Sequence, residues 1–158
     1  MNRFPLAYHP SYFVDRDEAL AVVLEKVRAF LRGEPVRNRT TTYYGPRGSG
    51  KSWLIRALHH RLRNSEEFDQ KVVSLFIALG PAPAGTPEDG FQILPTDPLQ
   101  TLWRKIANKL GMGEPPEHCS LDQLTQYVLQ GYLDQKCPVV ILVDGVDEMP
   151  PEFLRQLE

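Results

Sequence analysis

Residues 45–52 combine glycine, lysine and a hydroxyl side chain in an order that can bind phosphate. They read Gly-Pro-Arg-Gly-Ser-Gly-Lys-Ser and fit the pattern G-x-x-x-x-G-K-[ST]. Glycines let backbone N–H groups turn towards an anion without a Cβ in the way. Lys51 can reach the β- and γ-phosphates of a nucleotide, and the Ser52 hydroxyl can bind Mg²⁺. The spacing therefore predicts a nucleoside-triphosphate site of the P-loop class.

A second group of candidate residues follows an apolar run at 139–143. Three acids come after this run: Asp144, Asp147 and Glu148. A continuous apolar run is typical of a central parallel strand, and open α/β sheets bind ligands at the carboxyl ends of their strands. We therefore predict that Asp144 holds Mg²⁺ together with Ser52. Asp147 or Glu148 is the expected catalytic base, which would orient and deprotonate the attacking water.

The predicted nucleotide contacts comprise the loop and the residue after it: Gly45, Pro46, Arg47, Gly48, Ser49, Gly50, Lys51, Ser52 and Trp53. Within this set, Arg47 has no assigned role and is expected to be solvated. The Trp53 ring, like that of Trp103, falls on an apolar helical face and is expected to pack in the core. His59 and His60 are neighbours on a predicted helix, so they cannot form an i, i+4 metal pair and are expected to be exposed.

Alternating helices and strands must position these motifs. Apolar periodicity and end signals predict helices from about Arg16 to Gly33, Gly50 to Arg63, Pro98 to Leu110, Leu121 to Asp134, and a short one from Pro151. β-Branched and apolar runs predict strands at Thr40–Tyr44, Lys71–Leu79 and Pro138–Asp144. Residues 80–97 are rich in proline and glycine and predict a long loop. The alternation predicts an α/β fold with a parallel sheet.

Two of these helices carry predicted capping boxes. Asp15 is followed three residues later by Glu18, and Ser120 by Gln123. In such a pair the first side chain accepts a hydrogen bond from a free N–H group of the helix, and the second reaches back to the capping residue. Both pairs predict where their helices begin.

Composition places the chain among ordinary globular proteins. It has 158 residues, a formal net charge of −2 and 42% hydrophobic residues, which suits one domain with a single core. This charge gives no general attraction for nucleic acid or anionic membranes, and the longest apolar run is too short to span a bilayer. Residues 1–10 lack the apolar run of a secretory signal, and Cys119 and Cys137 lack metal-ligand spacing. These features predict a reduced, cytoplasmic setting.

Together the two motifs resemble the STAND class of P-loop NTPases and, within it, the NACHT family. In that family an apolar strand precedes Asp, a small residue, an apolar residue, Asp and Glu, and residues 144–148 read Asp-Gly-Val-Asp-Glu. Residues 12–18 are similar to the segment that opens many such modules, with Asp15 in place of the usual glycine. The resemblance implies that Phe13, Val14 and Arg16 lie near the adenine.

The resemblance also implies a P-loop NTPase sandwich of three layers, ATP or ADP with Mg²⁺ as cofactors, and self-association of the complete module. Residues 1–14 are expected to be an extended lead-in, and residues 15–158 a partial NTPase domain without the strands that follow Asp144. We then predict a gap in the sheet between Thr40–Tyr44 and Pro138–Asp144. The chain alone is expected to be poorly soluble or oligomeric, without steady hydrolysis.

Two other functions fit the same residues. An AAA-type or archaeal-type ATPase is the alternative enzyme, although its acids are more often adjacent at the strand end, whereas Gly145 and Val146 intervene here. A scaffold that holds ATP or ADP without turning it over is the alternative outside enzymes. No residue in the sequence selects ATP over GTP.

Overall fold

The computed structural model describes residues 16–80, 87–94, 96–97, 99–134, 137–146 and 149–152. Helices in this part of the chain are α1 (Asp17–Leu31), α2 (Lys51–Asn64), α3 (Leu99–Lys109) and α4 (Leu121–Asp134). The strands are β1 (Val73–Leu79), β2 (Phe91–Ile93) and β3 (Val139–Asp144). All four helices, β1 and β3 occur where the sequence predicts them, which confirms the α/β class.

The strands are parallel and lie in the order β2-β1-β3. β3 pairs with β1 along its whole length, with Val73 opposite Val139 at one end and Ala78 opposite Asp144 at the other. β2 pairs only with the end of β1, where Ile77 lies opposite Phe91. The carboxyl ends of β1 and β3 therefore meet at one edge of the sheet, and Asp144 lies at this edge.

Helices cover both faces of the sheet and make a three-layer α/β/α sandwich. Successive side chains of a strand point to opposite faces, so Phe76 and Ala78 pack with α1 and α2, whereas residues 75, 77 and 79 pack with α3 and α4. The helices contribute buried apolar residues on the first side: Leu20, Leu24, Val27, Leu54, Ala57, Leu58 and Leu62. On the second side they contribute Leu99, Leu102, Ile106, Ala107 and Val128. This arrangement confirms the predicted P-loop fold.

The predicted strand at Thr40–Tyr44 is wrong, because these residues join no ladder in the described part of the chain. Side chains hold the segment on α1 instead. Lys26 Nζ donates a hydrogen bond to the Thr41 hydroxyl at 2.7 Å, and the Tyr43 hydroxyl donates to the Ala19 carbonyl at 2.7 Å. β-Branched and aromatic residues suit a strand only where a neighbouring strand pairs with them, and none of the described strands does so here.

β3 is the outer strand on the side where the sequence predicts a gap. Within the described ranges, no strand pairs with the outer edge of β3, and residues 40–44 do not pair with it either. A direct ladder between residues 40–44 and β3 would have contradicted the predicted gap, and no such ladder forms. The predicted gap has two strand edges facing each other. Because residues 40–44 form no strand, only the edge of β3 is present.

A short strand, β2, lies inside the segment that was predicted to be a loop. The Gly80 N–H group donates to the Ile93 carbonyl at 2.7 Å, and Gln92 Nε2 donates to the Gly80 carbonyl at 2.8 Å. Ile93 is fully buried. A strand of three residues is too short to show an alternating pattern in the sequence, which is why it was missed.

The start of α4 confirms its predicted capping box. The Gln123 N–H group donates to Ser120 Oγ at 3.3 Å, and the Ser120 N–H group donates to Gln123 Oε1 at 2.9 Å. At α1 the residue before the helix is Arg16, which makes no side-chain cap, and the predicted cap Asp15 lies outside the described residues. Of the predicted helix from Pro151, residues 151–152 are described and are helical.

His59 is buried, contrary to the predicted exposure, whereas His60 is exposed as predicted. The His59 side chain is 4% exposed and links α2 to the sheet. Its Nδ1 lies 2.8 Å from Ser74 Oγ of β1, and its Nε2 lies 3.1 Å from Asp89 Oδ1. Because Ser74 and Asp89 are distant in sequence, no local pattern predicts that they give this histidine buried hydrogen-bond partners.

The surroundings of His59 keep its ring neutral near pH 7. Burial is the main cause that lowers the pKa of His59 to about 4, and the positive charges of Arg63, His60 and Lys109 lower it further. Arg63 also pairs with the second oxygen of Asp89, so this carboxylate is already matched by a cation.

Candidate phosphate site

The loop between residues 45 and 50 forms a tight turn at the start of α2. The Ser49 N–H group donates to the Pro46 carbonyl at 3.2 Å. Gly48 and Gly50 have φ angles of 84° and 85°, a left-handed conformation that costs a residue with a Cβ roughly 1–2 kcal/mol. The backbone therefore favours glycine at both positions, and Gly50 is one that the sequence pattern specifies.

α2 and Lys51 together direct positive charge to this turn. Gly50 precedes the helix and makes no side-chain cap, and the free N–H groups and dipole of a helix N-terminus attract anions. Lys51 Nζ donates to the carbonyls of Gly45 at 2.7 Å and Pro46 at 3.0 Å, so its ammonium group lies against the loop. Helix and lysine thus give this loop the charge that phosphate binding needs.

The structure brings the two predicted magnesium ligands together. Ser52 Oγ donates a hydrogen bond to Asp144 Oδ1 at 2.8 Å across 92 positions of sequence. Asp144 is 7% exposed, and within the described residues its Oδ2 atom is buried without a hydrogen-bond partner. A buried carboxylate oxygen that lacks a donor is costly unless a cation binds it, and hard cations such as Mg²⁺ prefer oxygen ligands. The two residues therefore fit a Mg²⁺ ion.

Gly145 allows the end of β3 to approach β1 very closely. Its φ angle is 80°, and a Cβ at this position would lie 2.2 Å from the Leu79 carbonyl oxygen. Such a contact is far inside the van der Waals distance, and the atom that it meets belongs to the backbone. Only glycine fits here, and the close approach fixes where the Asp144 carboxylate lies.

A buried arginine that is not among the predicted site residues faces Asp144 from α2. The Arg56 side chain is 2% exposed, and its Nη2 lies 3.9 Å from Asp144 Oδ2. Burial lowers the pKa of Arg56, and the charge of Asp144 opposes this shift. No local pattern in the sequence signals this role, because Asp144 is distant from Arg56 along the chain.

Arg16 is the part of the predicted adenine-contact group that the structure describes. Its Nη2 donates to the Ser49 carbonyl at 2.7 Å, so this arginine contacts the phosphate loop itself. Phe13 and Val14 lie outside the described residues. The adenine contact of all three residues stays a prediction.

The remaining predicted residues differ in how far the structure describes them. Pro46 and Arg47 are exposed, and Trp53 is half-buried in the first turn of α2. Asp147 and Glu148 lie outside the described residues, so their catalytic role stays a prediction.

In the ranges described, no three His, Cys, Asp or Glu side chains cluster as metal ligands. No helix among those ranges is long and apolar enough to cross a membrane.

Comparison with known proteins supports the same assignment of the fold. A family model described as AAA domain matches residues 37–158. The matched region contains the phosphate loop, all three described strands and Asp144, and it covers more than half of the chain. Neither a curated protein nor a solved structure gave a significant match.

Proposed function

Because the chain belongs to the family of AAA domains, we propose that it binds ATP with Mg²⁺ and hydrolyses it as the switch module of a NACHT-type protein. The contact between Ser52 and Asp144 carries this proposal. It joins the hydroxyl of the phosphate loop to the carboxylate at the end of β3 at 2.8 Å. P-loop NTPases hold Mg²⁺ with this pair of residue types.

Each part of the site has a role in nucleotide binding. The first N–H groups of α2 and of the glycine-rich turn donate to phosphate oxygens. Lys51 exchanges its bonds to the carbonyls of Gly45 and Pro46 for bonds to the β- and γ-phosphates. Ser52 and Asp144 would hold Mg²⁺, and the bound ion would neutralise charge on the phosphates.

Hydrolysis is assigned to the acids that follow β3 in the sequence. A carboxylate close to the γ-phosphate can orient a water and accept its proton. Glu148 is the proposed base, and Asp147 is the second candidate. Glu148→Gln keeps the size of the side chain but cannot accept the proton, so hydrolysis should fall at least ~100-fold. ATP binding should not change.

Single-turnover hydrolysis of labelled ATP by the complete module, with protein in excess, tests this assignment. Asp147→Asn is the matched variant and should hydrolyse ATP at the wild-type rate. Loss of hydrolysis in Asp147→Asn alone would move the role of base to Asp147. Unchanged hydrolysis in both variants would refute the assignment, and a wild type that binds ATP without hydrolysing it would favour the scaffold.

The NACHT-type switch is favoured by the order of the acids, because Gly145 and Val146 separate Asp144 from Asp147 and Glu148. A cytoplasmic setting and self-association of the module belong to the same proposal. An AAA-type ATPase fits the family match equally well. A switch that retains its product should show a single-turnover rate well above its steady-state rate, because product release limits turnover. Equal rates would favour the cycling ATPase.

A further inference from the structure

Arg56 lies where it can act on the same carboxylate as Ser52. The two residues are four positions apart on α2, so their side chains lie on one face of the helix, one turn apart. Ser52 Oγ contacts Asp144 Oδ1 at 2.8 Å, and Arg56 Nη2 lies 3.9 Å from Asp144 Oδ2. One carboxylate is thus held between a hydroxyl on one oxygen and a guanidinium near the other.

Burial makes this pair of charges depend on each other. The side chain of Arg56 is 2% exposed and that of Asp144 is 9% exposed. A charge removed from water is strongly destabilising unless an opposite charge lies nearby. At 3.9 Å the guanidinium attracts the carboxylate without a hydrogen bond to it, so Oδ2 keeps its lone pairs for another partner.

We infer that Arg56 is the internal counter-ion of Asp144 and competes with Mg²⁺ for that carboxylate, so that it limits how strongly Mg²⁺ promotes nucleotide binding. The inference rests on the proposed function. A guanidinium and a dication that share one carboxylate repel each other, and this repulsion weakens Mg²⁺ binding. Without Mg²⁺, Arg56 balances the buried carboxylate and also adds positive charge near the phosphates. Arg56 is therefore a positioning and tuning residue rather than a catalytic one.

The ATP dissociation constant, measured with Mg²⁺ and again with EDTA, tests this inference. The dissociation constant in EDTA divided by that in Mg²⁺ reports how much Mg²⁺ strengthens ATP binding. In Arg56→Met this ratio should rise roughly tenfold, because one nearby positive charge no longer opposes the ion. Arg56→Lys keeps the charge and should stay close to the wild-type ratio. Arg61→Met, an exposed arginine of the same helix, is the matched control and should leave the ratio unchanged.

A melting experiment without nucleotide tests the ion pair by itself. Arg56→Met and Asp144→Asn should each lower the melting temperature, and the double variant should lose less than the sum of the two, because the charges then disappear together. Additive losses would overturn the inference even if Arg56→Met were too unstable for binding studies.

The outcomes of the binding experiment separate the inference from the proposed function. If the wild type does not bind ATP, the proposed function fails. If the wild type binds ATP and the ratio in Arg56→Met stays the same or falls, only the inference about Arg56 is overturned.

Discussion

Acid should destabilise the protein through His59. Its ring is buried between Ser74 and Asp89, and burial lowers its pKa from 6.5 to about 4. The unfolded chain therefore takes up a proton at this residue more readily than the folded chain. The stability that comes from the neutral ring is fully present above about pH 6.5 and is lost as the pH falls towards 4.

The size of this effect follows from the pKa difference. The full shift corresponds to about 3 kcal/mol, of which about 2 kcal/mol should be lost by pH 5. His59→Gln has no titrating ring at this position. Between pH 7.5 and pH 5, the free energy of unfolding of the wild type should thus fall by about 2 kcal/mol more than that of the variant.

Urea unfolding at several pH values in this range, followed by far-UV circular dichroism, measures the difference. His60→Gln, at the exposed neighbouring position, is the control and should follow the wild type. Carboxylates paired with arginine, such as Glu67 with its lowered pKa, also stabilise the protein less in acid. All three proteins contain them, so their contribution to the free energy of unfolding cancels in the comparison. If the free energy of unfolding fell equally with pH in the wild type and in His59→Gln, burial of a neutral His59 would not be the cause of the acid sensitivity.

Two further substitutions test the close approach of the backbone at Gly145 and the cap of α4. Gly145→Ala should cost roughly 3 kcal/mol or more in urea unfolding, because its Cβ meets the Leu79 carbonyl oxygen at 2.2 Å. Gly111→Ala, at a φ of 71° with open space around it, should cost only roughly 1–2 kcal/mol, and equal losses would contradict the clash. Ser120→Ala removes the cap of α4 and should lower the free energy of unfolding by about 1 kcal/mol. An unchanged urea midpoint would show that this cap does not stabilise the protein.

Periodicity and caps predicted most of the elements from the sequence. The apolar spacing of α1 to α4 and the continuous apolar runs of β1 and β3 are local signals, and each of these elements forms close to its predicted position. The pairing of Ser52 with Asp144 was also predictable. A phosphate loop and an acidic strand end each have a fixed place at the carboxyl edge of a parallel sheet.

Tertiary contacts determine the features that the sequence does not predict. Thr40–Tyr44 has the composition of a strand, but Lys26 and Tyr43 attach it to α1 through side-chain bonds. His59 and Arg56 are polar residues on a helix, and their burial depends on partners far away in the sequence: Ser74, Asp89 and Asp144. No local pattern carries that information.

The most direct test of nucleotide binding compares the wild type with Lys51→Ala in Mg²⁺-dependent binding of labelled ATP. The ammonium group contacts loop carbonyls rather than the core, so the variant should melt like the wild type. Lys71→Ala, an exposed lysine outside the loop, is the control and should bind ATP normally. We predict that the wild type binds ATP and that Lys51→Ala loses more than about 2 kcal/mol of binding free energy. Equal ATP binding by a folded Lys51→Ala variant and the wild type would contradict the assignment of this loop as a phosphate site.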